Sequence, residues 1–138
     1  MSVSFADQQV HRIKVEVGKS KLDPKKSVFV LTTDDKELYP KAEVHLKVGI
    51  TYIFDIDTPG CPFYITSDSK GGGFNESESL SMRGAIEIQS ENAYENGNVG
   101  IEKGTLTWTP DFIHKNMVLY YQCNYFSEMG NRIKISLN

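Results

Sequence analysis

Apolar residues recur along this chain with a period of two rather than the 3.6 of a helix. Arg12-Ile13-Lys14-Val15-Glu16-Val17 alternates polar with apolar and then meets Gly18. Val28, Phe29 and Val30 form a short apolar run before the turn-like residues 32–35. Val44, Leu46 and Val48 alternate with Glu43, His45 and Lys47, so His45 is expected on the outward face. Tyr52, Phe54 and Ile56 share one face of the next strand, which Asp57-Thr58-Pro59-Gly60 stops. Phe63 to Ile65, Leu106 to Trp108 and Val118 to Cys123 add strands, Ala85 to Ile88 is a further candidate, and Ile133, Ile135 and Leu137 alternate in the last.

No apolar stripe holds helical spacing for three turns, and residues 111–115 suffice for one turn at most. Residues 67–81, with Gly71-Gly72-Gly73, read as a mobile loop, and 90–100, with Asn96-Gly97, as a second polar one. Seven to nine short strands between turn signals predict an all-β chain folded as an antiparallel sandwich. At 138 residues the chain is long enough to bury a core as one domain, 1–138.

Composition then removes several classes of function. Fifteen basic against eighteen acidic residues give a net charge of −3, which argues against a nucleic-acid surface. No run of eighteen apolar residues is present, so no membrane span is expected. The opening MSVSFADQQVHRIKVEVG has neither the basic nor the apolar region of a secretory signal. An intracellular or virion-associated location is therefore the expectation.

Two segments carry a resemblance: ITYIFDIDTPGCPFYIT (50–66) and GTLTWTPDFIHKNMVLYYQCNYFSEMGNRIKI (104–135). Their order and spacing resemble the plastocyanin-like, or cupredoxin, domain family. The likeness covers residues 27–138, with 1–26 as an added N-terminal strand. It implies a single Greek-key β-sandwich. In that family two imidazoles, a cysteine thiolate and a distant methionine hold a type 1 copper, a mixture suited to both copper oxidation states. By motif the first histidine falls at Cys61 and the second at Phe126, while the thiolate falls at Cys123 and the axial thioether at Met129. Both histidines are thus replaced. The resemblance further implies that Cys61 and Cys123 are neighbours, either bridged as a disulfide or free, and that Phe126 with Met129 plugs the former metal volume. The cysteines stand 62 positions apart in the chain.

Other candidates are weaker. Asn75-Glu76-Ser77 fits the glycosylation pattern, and Asp55, Asp57 and Asp68 are a calcium candidate whose plainer reading is a solvated face. His11, His45 and His114 stand outside the matched ligand positions. No nucleophile–base arrangement is found, so no enzyme and no catalytic residue is expected. The aromatic run Tyr120, Tyr121, Tyr125 and Phe126 would suit a protein contact wherever it is exposed. The expectation is a structural or interaction module without a cofactor, a subunit of a larger assembly such as an intracellular complex or virus particle. The rival is a copper-binding or electron-transfer protein with a sulfur-rich site at Cys61, Cys123 and Met129.

Overall fold

The computed structural model describes residues 10–34, 36–76, 81–86, 88–91 and 100–137. Two sheets face each other, and the expected sandwich is present. The first holds β1 (Val10–Lys19), β2 (Ser27–Thr33), β3 (Lys36–Glu37), β5 (Thr51–Asp57), β7 (Gln89–Glu91) and β8 (Lys103–Trp108), in the order β3-β2-β1-β5-β8-β7. The second holds β4 (Val44–Lys47), β6 (Phe63–Thr66), β9 (Leu119–Cys123) and β10 (Arg132–Ser136), in the order β4-β10-β9-β6.

Alternation explains which side chains enter the core. Ile13 and Val15 on β1, Tyr52, Phe54 and Ile56 on β5, and Leu119, Tyr121 and Cys123 on β9 all face inward. At the centre Phe63 lies edge-on to Phe29, with ring centroids 5.2 Å apart, and stacks on Tyr121 at 6.1 Å. Removing such a fully buried ring costs about 3–5 kcal/mol. The outward positions carry ion pairs instead: Arg12 meets Asp55 at 2.8 Å and Lys103 meets Asp57 at 3.5 Å.

The sheets are mixed, which corrects the antiparallel expectation. β1 runs parallel to β5, pairing Ile13 with Phe54, and β4 runs parallel to β10, pairing Val44 with Ile133. The chain changes sheet between β3 and β4 and again between β4 and β5, which returns β5 beside β1 in the same direction. Periodicity fixes which face a residue occupies but not the direction of its neighbour. β1 is an interior strand of its sheet, pairing with β2 on one side and β5 on the other.

Ten strands form among the described residues, where seven to nine were expected. The additions are short and polar: Lys36–Glu37 pairs with β2, and Gln89–Glu91 pairs with β8. Among the described residues of the candidate strand at 85–88, Ala85 bridges to Thr66 and the Ile86 amide donates to the Ile65 carbonyl at 3.0 Å. Asp111 caps a single 3-10 turn, Phe112–Asn116, by accepting from the Phe112 amide. The 92–99 part of the second polar loop, with Asn96-Gly97, and Ser77 of the glycosylation pattern lie outside the described residues.

Candidate functional site

Cys61 is delivered to one pole of the sandwich by a tight turn after β5. Its amide donates to the Thr58 carbonyl at 2.9 Å, and Gly60 has φ of +82°. Proline at the second turn position and a left-handed glycine at the third are the residues a type II turn requires. The Thr58 hydroxyl donates to the Cys61 carbonyl at 2.8 Å, while the Gly60 amide donates to Glu102 Oε1 at 2.8 Å. The thiol is therefore held from both sides of the turn.

Cys123 arrives from β9, registered opposite Phe63 at the start of β6. Its sulfur accepts the amides of Tyr125 at 3.3 Å and Phe126 at 3.4 Å. Farther round, the Met129 carbonyl accepts from the Phe29 amide at 2.9 Å, which ties the turn to β2. Gly130 then passes so close to β9 that an added Cβ would stand 1.6 Å from the Tyr121 carbonyl oxygen. Cys61, Cys123 and Met129 all belong to the buried core cluster, 8%, 0% and 2% exposed.

Both cysteines are free, and their buried thiols interact with each other at this pole. Burial pushes the Cys123 thiol up to about 12, against the smaller pull of the Phe126 and Tyr125 amides. Burial also raises Cys61, with its interaction with Cys123 opposing and the Glu102 charge adding. Both sulfurs are protonated near neutral pH, so neither is an activated nucleophile.

Phe126 does not plug this pole. Its side chain is 55% exposed and sits on the rim of an open cleft of about 620 Å³. Met129 does fill the interior, but Phe126 occupies a turn position whose amide is turned to the sulfur, leaving its ring outside. Cys61 and Met129 lie in the floor of that cleft, and Leu22, Lys25, Lys26 and Lys41 form much of its wall. The sequence reading missed these four. The available signal was Leu22 itself, a lone apolar residue within the charged turn KSKLDPKK.

The loop expected to be mobile is, over residues 67–76, a packed strap across the outer face of β6 and β9. Gly71, Gly72 and Gly73 are buried. The Gly72 amide donates to the Cys123 carbonyl at 2.8 Å and the Phe74 amide to that of Asn124 at 3.0 Å. Gly71 and Gly72 have φ near +73° and +72°, and a Cβ on Gly72 would lie 2.9 Å from the Ser127 nitrogen. Asp68 organises the strap by accepting the Lys70 amide at 2.9 Å, the Gly71 amide at 3.2 Å and Arg83 Nε at 3.3 Å.

The remaining candidates are scattered. His11 approaches Asp34 at 3.9 Å, and both line a second cleft, of about 440 Å³, with His45. His45 is exposed as expected and approaches Glu43 at 3.4 Å. His114 Nδ1 accepts the Asp111 amide at 2.7 Å, and the ring stands edge-on to Trp108. No histidine lines the cleft over Cys61. Asp68 lies on the strap with Arg83, while Asp55 and Asp57 lie on β5 with their own cations, so the calcium candidate does not assemble.

No protein-family model matches this chain, and no curated protein matches it. Among solved structures, the 2F4 variant of the McoA multicopper oxidase from the hyperthermophile Aquifex aeolicus aligns with a TM-score of 0.42 and 18% identity, over 95% of this chain. The McoA multicopper oxidase from the same organism aligns with a TM-score of 0.42 and 14% identity over 93%. The chain spans 27% and 26% of those two proteins, about a quarter of their length.

Proposed function

We propose that this chain is a non-enzymatic interaction module, a β-sandwich subunit of a larger protein assembly whose pole no longer suits type 1 copper. The observation that carries this reading is the donor set. Cys61, Cys123 and Met129 gather at the pole, while His11, His45 and His114 are each engaged elsewhere. A type 1 centre needs two imidazoles beside its thiolate. An exposed phenyl ring at residue 126 and a second thiol at residue 61 supply neither. The residues present therefore do not fit the group that the family resemblance implies.

An interaction role draws its support from what surrounds the pole. A well-anchored turn presents Phe126 outward, and exposed aromatics are enriched where proteins meet. The test is elemental analysis of the full chain expressed in copper-supplemented medium, beside a Cys123→Ser variant. Substoichiometric copper in both supports the module. One copper per chain, lost in the variant, would instead establish the sulfur-rich copper protein.

A further inference from the structure

The cleft over Cys61 has features that the sandwich core does not require. Leu22 is 97% exposed at its wall, yet the backbone that presents it is not slack. Ser20 Oγ accepts the amides of Leu22 at 3.2 Å and Asp23 at 3.3 Å. The Ser20 amide donates to the Lys26 carbonyl at 3.0 Å, and the Lys26 amide returns to the Asp23 carbonyl at 2.8 Å. Five residues of turn are thereby closed on themselves, and the leucine stands away from them. Phe126, on the same cleft, is pinned by its amide to the Cys123 sulfur, and Ser127 bridges to Gly71 of the strap. Two apolar side chains carried on hydrogen-bonded turns thus share one concave surface of ligand-accepting size.

The charge of this surface runs against that of the whole chain. Net charge is −3, but the cleft presents Lys25, Lys26 and Lys41 against Asp23 and Glu128. Asp23 spends one carboxylate oxygen on the Lys25 amide, at 3.1 Å. Among the described residues, no carboxylate forms an ion pair with any of the three ammonium groups, as is so for most lysines of the chain; what sets these three apart is their gathering at one cleft. An adjoining hollow adds Lys70 beside Lys41 and Glu128. An acidic protein that keeps unpaired cations round an apolar cleft is complementary to a partner with the opposite arrangement.

We infer that the cleft docks an acidic polypeptide segment of a partner, with one large apolar side chain held between Leu22 and Phe126 and flanking carboxylates on Lys25, Lys26 and Lys41. This rests on the interaction-module reading and names the partner's chemistry. Steering by the lysines sets the approach and the register, and burial of the apolar anchor retains the segment.

The experiment is selection of a random linear peptide library on the full chain, followed by affinity measurement with a synthesised enriched peptide. The enriched sequences are expected to carry Asp or Glu on either side of a large apolar residue. A Lys25→Glu, Lys26→Glu double variant should weaken that peptide at least about tenfold, with higher salt weakening it in the wild type. Leu22→Ser should weaken it without altering the salt dependence. Unchanged circular dichroism confirms that these exposed substitutions leave the fold intact. Enrichment of peptides without acidic residues, or equal binding by wild type and the double variant, overturns the assignment of the cleft while leaving an interaction role elsewhere. Self-association that Leu22→Ser abolishes, or preferential binding of a single-stranded oligonucleotide probe, overturns the assigned partner. Failure of any peptide to enrich overturns the inference, and stoichiometric copper in the same preparation removes the reading beneath it.

Discussion

The buried, free thiols of Cys61 and Cys123 interact with each other at one pole of the sandwich, although 62 positions of chain separate them. Thiol–disulfide exchange with a small disulfide reagent should therefore close an intramolecular bridge, each reagent molecule leaving as two thiols. In the chain-entropy account a loop of this length stabilises by roughly 4 kcal/mol, because it restricts the unfolded ensemble. Intact mass under denaturing, non-reducing conditions should fall by two hydrogens, and the urea midpoint should rise. Mixed disulfides without closure would show that the two sulfurs do not meet in solution.

Stability should decline at alkaline pH. The Cys123 thiol lies near 12 in the fold, against an ordinary 9.0, and the buried Tyr64 hydroxyl lies near 12 against 10.0. Between the ordinary and the folded values, the unfolded chain has released protons that the folded chain still holds. Stability is therefore full below pH 9 and falls as pH rises toward 12, by up to ~1.4 kcal/mol per pH unit for each group. Urea titrations across that range should show the fall, and Cys123→Ser should make it shallower. A flat profile would contradict the burial assigned to these groups.

Gly130→Ala should be among the most damaging single substitutions. The obstacle is backbone, since the new carbon would overlap the Tyr121 carbonyl at 1.6 Å and no side-chain rotation relieves it. The Met129 turn would have to move away from β9, at a cost of about 3 kcal/mol or more. A midpoint close to that of wild type in urea would show that the turn is not so confined.

Asp68→Ala should loosen the strap without unfolding the sandwich. It strands the Lys70 and Gly71 amides and removes the Arg83 Nε acceptor, which together amount to about 1–3 kcal/mol. Hydrogen exchange should quicken at the Gly72 and Phe74 amides, whose acceptors are on Cys123 and Asn124. Unchanged protection there would mean that Asp68 does not organise the loop.

Strand faces were legible wherever alternation was clean, as in Tyr52, Phe54 and Ile56 or in Leu119, Tyr121 and Cys123. In β2 four successive buried residues, Val28 to Leu31, offered no phase, and the inward pair proved to be Phe29 and Leu31. β3 and β7 were invisible because their short polar sequences, KE and QSE, carry no apolar alternation. Gly71 and Gly72 read as flexible because a glycine's freedom is a local property. Their confinement comes from Gln122 and Ser127, some 50 positions away, which no local pattern reveals. At the candidate site no local pattern relates Cys61 to Cys123, and only the family resemblance suggested their proximity. The outward ring of Phe126 was not legible, because a turn residue has no periodicity to orient it.

The central claim, that the pole cannot hold a type 1 centre, is tested most directly by adding Cu(II) to the reduced full chain and recording visible absorption. The donor set predicts no intense thiolate-to-copper band and no copper retained after gel filtration. A strong band with one retained copper per chain would contradict it.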